Sequence, residues 1–144
     1  MKTHLNFSTV NLEKSVLFYS ILLKAVPVKL LPDYALFITK EPGLELALDL
    51  RDTVIVGSDA HYGVCVESSE DVDEAVARLQ KAGLVASIER DETCCYASQT
   101  KVWAIDPDGR RWEVYTVLED TEERSNVDAT CCTSDSAERS CCVA

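Results

Sequence analysis

The chain is short of basic residues, of long apolar runs and of histidine, and each shortage removes or narrows a class of function. Its 14 Lys and Arg face 25 Asp and Glu, which leaves a formal net charge of -11 and an isoelectric point near 4.5. Such a surface offers phosphate backbones and anionic headgroups no counter-charge, so neither nucleic acid nor a membrane is an expected partner. No stretch approaches the roughly 18 apolar residues of a spanning helix, and the N-terminus lacks the basic-then-apolar layout of a secretion signal. A cytoplasmic protein acting on a small molecule is expected.

What is present departs from an ordinary domain mainly in its cysteines. The 144 residues, 47% of them hydrophobic, are enough for one buried core. There are 7 cysteines, and all but Cys65 fall in adjacent pairs: Cys94-Cys95, Cys131-Cys132 and Cys141-Cys142. Adjacent partners bridge poorly, and without a secretion signal the thiols stay reduced, so this is no disulfide framework. Neighbouring free thiols suit a soft ion, trivalent arsenic among them. Against that stands plain strand alternation, which would send one of Cys94 and Cys95 to the core and the other to solvent. Cys65, inside the alternating run from Tyr62 to Val66, reads as a small core hydrophobe.

The order of elements repeats: strand, helix, then several strands, twice over. The first unit has a strand over 4–10, a helix capped by Asn11 and strands near 27–31, 34–39 and 44–50. The second opens at His61, continues through a helix capped by Ser68 or Ser69 and closed by Gly83, and adds strands near 85–90, 94–98, 101–106 and 111–117. Asp106-Pro107-Asp108-Gly109 has tight-turn chemistry and should join the last two strands. A shift of 57 positions lays His4 on His61, Phe7 on Val64, Leu22 on Leu79 and Lys24-Ala25 on Lys81-Ala82. The expectation is an α+β fold of two βαβββ-type modules, about 1–56 and 57–118, with a metal site between curved sheets. From Glu119 onward large apolar side chains almost vanish, so residues 119–144 read as an acidic tail whose Cys131, Cys132, Cys141 and Cys142 are accessory thiols.

The chain has 2 histidines, and the repeat puts both at the start of a module's first strand. A symmetry-related pair favours metal ligation where a lone histidine would not. Within Arg111-Trp112-Glu113-Val114-Tyr115, alternation puts Glu113 and Tyr115 on one face, so Glu113 is the natural third ligand; a plain surface carboxylate is the alternative. Glu45, in the matching run of the first module, is left out. Two imidazoles and one carboxylate leave coordination positions open, as in non-haem Fe(II) sites, although Zn, Ni or Mn suit the same donors. The adjacent thiols tip the balance toward iron, since a simple Lewis-acid site has no use for them.

With His4, His61 and Glu113 in paired modules, the chain resembles the vicinal oxygen chelate superfamily of glyoxalase I, bleomycin-resistance proteins and extradiol dioxygenases. Within it, Thr93–Trp103 (TCCYASQTKVW) and Arg111–Leu118 (RWEVYTVL) are similar to the organoarsenical carbon–arsenic lyases and the cadmium-induced proteins, and the likeness runs from residue 1 to about 118. The resemblance implies Fe(II) on His4, His61 and Glu113, trivalent arsenic on Cys94 and Cys95, dioxygen as co-substrate and release of arsenite. It also implies a monomer or homodimer taking a trivalent organoarsenical such as methylarsonous acid or an aromatic arsenical. Non-catalytic thiol sequestration of cadmium or arsenite is the alternative. The chain departs from the group at Thr100, where an acidic residue is expected; the position reads as loop surface.

Overall fold

The computed structural model describes residues 2–57 and 60–122; Cys131, Cys132, Cys141 and Cys142 lie outside the described residues. Eight strands and two helices alternate in two copies of one pattern. The first copy comprises β1 (Thr3–Thr9), α1 (Leu12–Leu22), β2 (Lys29–Leu31), β3 (Tyr34–Ile38) and β4 (Leu44–Leu50). The second comprises β5 (His61–Cys65), α2 (Ser69–Lys81), β6 (Val85–Cys94), β7 (Ala97–Ile105) and β8 (Arg111–Asp120). The sheets run β1-β4-β3-β2 and β5-β8-β7-β6, so in each the first strand pairs in parallel with the last.

Local chemistry sets the helix ends. The Asn11 side chain accepts the Lys14 backbone N–H at 3.0 Å and starts α1. Ser68 and Asp71 form a reciprocal capping box at α2. Gly83, at φ +70, stops α2, with Leu84 N–H donating to the Leu79 carbonyl and Gly83 N–H to that of Gln80, the Schellman arrangement.

Both helices pack on the same side of their sheets and against each other, so the modules share one core built around Phe7, Phe18, Tyr19, Leu46, Leu79 and Trp112. Each large apolar side chain fully buried there contributes about 1.5–3 kcal/mol. Polar bonds stitch the copies together. Tyr19 donates its hydroxyl to Asp106 at 2.6 Å, and burial raises its pKa far above the ordinary 10.0, so it stays neutral. Arg110 donates to the Ser8 carbonyl and Asp106 while stacking on Phe7.

Two details depart from the sequence reading. The three strands expected at 85–90, 94–98 and 101–106 are instead the two arms of one hairpin: β6 runs on to Cys94, Cys95-Tyr96 form the connection, and β7 begins at Ala97. Secondly, Glu119 and Asp120 belong to β8, paired with Ser98 and Ala97.

Candidate functional site

With the helices covering one side of each sheet, alternation leaves the other side of the second sheet to His61, Gly63 and Cys65 of β5, Glu113 and Tyr115 of β8, Lys101 and Trp103 of β7, and Glu89 of β6. Register arranges them in rungs. Gly63, Glu113, Trp103 and Ser87 form one; Cys65, Tyr115, Lys101 and Glu89 form the next.

His61 Nε2 lies 3.6 Å from Glu113 Oε1. Two bonds of about 2.0–2.2 Å at angles of about 90–120° hold their donor atoms about 3.0–3.7 Å apart, so these two residues fit a single metal ion. A missing side chain makes the room: a Cβ on Gly63 would meet Tyr115 Cε1 at 2.9 Å and Glu113 Oε1 at 3.2 Å. His61 in turn packs edge-on against Trp103, with ring centroids 5.4 Å apart. His4 is placed differently. It is exposed at the start of β1 in the other sheet, and no hydrogen bond, ion pair or ring contact joins it to His61 or Glu113. Among the described residues no set of three or more His, Cys, Asp and Glu is gathered for a metal.

Lys101 dominates the electrostatics of this face. It is 3% exposed, and its Nζ lies 2.9 Å from Glu113 Oε2 in a buried ion pair. The rings of Trp103 and Tyr115 enclose it, 5.4 and 5.8 Å from the ammonium. Burial alone would lower its pKa, but Glu113, with Cys94 and Glu89 behind it, more than offsets that and holds it above the ordinary 10.5. Glu89, across the ladder, donates nothing and accepts the Trp103 indole N–H at 2.9 Å on Oε1. Burial raises its carboxyl above the ordinary 4.5, with Lys101 and Trp103 opposing and Glu113 and Glu92 adding to the rise.

The thiols sit at the tip of the β6–β7 hairpin. Cys94 is 4% exposed and Cys95 is exposed, as simple alternation requires, yet their sulfurs are 3.2 Å apart. Strand neighbours on opposite faces would not meet in this way; the turn brings them together. Cys95 (φ 56) and Tyr96 (φ 66) both occupy the left-handed region that a two-residue type I′ connection requires, a place normally given to Asn-Gly. Such residues cost of order 1–3 kcal/mol each, and strain of this kind collects at functional sites. Two thiolates bonded to one ion at about 2.3 Å and a right angle stand about 3.3 Å apart, a spacing that this pair matches. Register shifts between Glu89 and Glu92 and between Ser98 and Gln99 bend the hairpin, and Cys94 falls within the electrostatic reach of Lys101.

Two sequence readings are corrected. Cys65 is exposed on the site face beside Tyr115, its partner across the ladder, because it lies two and four residues from Gly63 and His61 and so shares their side of β5. Thr100 is 2% exposed on the opposite side of β7, its hydroxyl bonded to Asp91, and is no loop-surface position. Sequence reasoning overlooked Lys101, Trp103 and Glu89; the signal for them was the alternation of Gln99, Lys101 and Trp103 on one face of a strand that leads out of the thiol turn. A cleft of about 490 Å³ is lined by none of these site residues; Asn6, Ser8, Tyr62, Arg110 and the segment 53–57 line most of it, and Arg110 is already committed to Asp106 and Ser8.

The chain compares closely with known proteins. It is 44% identical over 130 residues, 90% of this chain and 81% of the other, to a trivalent organoarsenical cleaving enzyme of Bacillus sp. strain MD1. It is 43% identical over 141 residues, 98% of this chain and 92% of the other, to the cadmium-induced protein CadI of Mycobacterium tuberculosis strain H37Rv. Among solved structures, a glyoxalase/bleomycin resistance protein/dioxygenase from Alicyclobacillus acidocaldarius shares the fold with a TM-score of 0.67 at 17% identity, covering 83% of this chain and 92% of that one. The family model of the same description matches residues 3–114. An α+β chain of two matched four-stranded sheets, this protein belongs to the Glyoxalase/Bleomycin resistance protein/Dioxygenase superfamily.

Proposed function

We propose that this protein cleaves the carbon–arsenic bond of trivalent organoarsenicals, using Fe(II) and dioxygen, and releases arsenite. The observation that carries the reading is the pair of sulfurs 3.2 Å apart at a strained hairpin tip, tied through Lys101 to the carboxylate that faces His61. The relatives named for organoarsenical cleavage support it from a second side, at 44% and 39% identity.

Cys94 and Cys95 bind the substrate. Each thiol replaces one arsenic-bound hydroxyl, so two S–As bonds form, two As–O bonds break, and the thiol protons leave as water with the hydroxyls. Lys101 supplies the positive charge that a thiolate at Cys94 needs. Trp103 and Tyr115 keep water from that ammonium, and Gly63 lets Glu113 lie flat against β5. His61 and Glu113 would hold Fe(II), which would supply the redox chemistry that dioxygen requires; His4, the third donor the sequence offers, would have to come across from β1. For a methyl substituent the balance is CH3As(OH)2 + O2 → As(OH)3 + HCHO: the carbon is oxidised, both oxygen atoms are reduced, and arsenic stays trivalent.

A second reading is sequestration, in which the thiols hold cadmium or arsenite and no bond is cleaved; the likeness to CadI favours it. The two-sheet domain through β8 would then serve as a scaffold, and Cys131, Cys132, Cys141 and Cys142 beyond it as further thiols. Either activity belongs in a reducing compartment such as the cytoplasm, where adjacent thiols persist. The test is anaerobic loading with Fe(II), addition of methylarsonous acid, admission of air and chromatographic arsenic speciation. Cleavage predicts arsenite and formaldehyde in equal amounts; recovery of methylarsonous acid unchanged means sequestration.

A further inference from the structure

An ammonium is an awkward neighbour for a carboxylate that is to hold a divalent cation, because the two positive charges compete for the same oxygens. Lys101 stands in that position, buried, with Nζ 2.9 Å from Glu113 Oε2. Its reach is diagonal: the cross-strand partners of Lys101 are Tyr115 on β8 and Glu89 on β6, while Glu113 is one rung away. The direct partner is left bare. Glu89 is 5% exposed, its Oε1 accepts from Trp103, and its Oε2 is buried without any hydrogen-bond partner. Buried polar atoms in folded proteins are nearly always paired, and an unpaired one costs free energy.

We infer that Glu89 is a second station for Lys101: when a metal ion takes Glu113, the ammonium transfers to Glu89 Oε2. Directly opposed residues have Cβ atoms about 4.5–5.5 Å apart, against about 7–8 Å on the diagonal, so the long lysine stem spans either contact by rotation. The transfer pairs the bare oxygen and removes the rival charge from the metal's place. Lys101 is therefore a positioning residue that lets one buried face accept an ion without leaving a lysine stranded. The inference rests on the proposal that His61 and Glu113 bind metal.

The test is equilibrium titration of the full chain with Fe(II) under anaerobic conditions, followed calorimetrically, for wild type, Glu89→Gln, Lys101→Met and the double variant. Glutamine keeps the acceptor for Trp103 and removes the charge of the second station. Glu89→Gln is expected to weaken Fe(II) binding about tenfold, within the 5–150-fold range of site couplings. Lys101→Met is expected to bind Fe(II) at least as tightly as wild type, and in that background Glu89→Gln should matter less than about twofold. Thermal melts separate a lost site from a lost fold, and Lys101→Gln replaces the methionine variant if the latter does not fold. If Glu89→Gln weakens binding equally with and without Lys101, or removal of Lys101 itself weakens binding, the two-station account is overturned. If wild type binds no Fe(II), the metal-centre reading falls and takes this inference with it.

Discussion

The two modules have one topology and opposite chemistry. On the rung where the second has Gly63, Glu113, Trp103 and Ser87, the first has Asn6, Ala47, Leu36 and Lys29. On the next, the second has Cys65, Tyr115, Lys101 and Glu89 where the first has Ser8, Asp49, Tyr34 and Leu31. The outer hairpins differ too: β2 and β3 have 3 and 5 residues, β6 and β7 have 10 and 9. The extra length carries the thiol turn and the register shifts beside it. Repetition built a stable two-sheet frame around one core, and the lengthened hairpin of one copy carries the proposed substrate site. Histidine is the feature both copies keep, at His4 and His61.

The largest effect that tests this asymmetry is at the thiols. Cys94→Ser or Cys95→Ser should abolish arsenical binding and turnover, while Fe(II) binding, measured by calorimetry, stays at the wild-type level. Next come the proposed metal donors. Glu113→Ala or His61→Ala should weaken Fe(II) binding by more than the about 10–100-fold typical of outer-sphere partners. His4→Ala should weaken it less, and Glu45→Ala, on the rung of His4, should leave it unchanged. An equal loss at Glu45 would mean that the first module contributes as much as the second.

Smaller still is the effect of Gly63→Ala, whose methyl group would displace Tyr115 and the Glu113 carboxylate. Fe(II) affinity should fall about tenfold. Its counterpart Asn6→Ala should alter neither affinity nor stability beyond about 0.5 kcal/mol. The smallest effect is a pH dependence at Glu89. Because its carboxyl is raised from 4.5, the folded protein holds that proton more tightly than the unfolded chain does. Its contribution is full below the unfolded value and is lost as pH rises through the folded one. Relative to Glu89→Gln, wild type should therefore lose thermal stability across that interval.

Much of the fold was legible, because helix caps and periodicity are local. Asn11, Ser68 and Gly83 end their helices where their side chains or φ values require. The His61–Glu113 pair was legible because a 57-residue shift aligns the histidines and alternation orients Glu113. The hairpin tip was not. Thr93-Cys94-Cys95-Tyr96-Ala97 carries no Gly, Asn or Asp, so nothing local announces a turn, and the backbone enters the left-handed region despite its residues. The burial of Lys101 and Glu89 was hidden for a different reason: charged residues on a strand read as solvent-facing, and only the fold reveals that Trp103, Tyr115 and Glu113 surround Lys101 and that Trp103 bonds Glu89.

The central claim is that thiol capture and metal chemistry are separate halves of one bond-breaking site. Its most direct test is arsenite release by Glu113→Ala protein exposed to Fe(II), methylarsonous acid and air, measured beside wild type. The account predicts that the variant retains methylarsonous acid on Cys94 and Cys95, recoverable with a competing dithiol, and releases no arsenite. Arsenite release at the wild-type rate would contradict it.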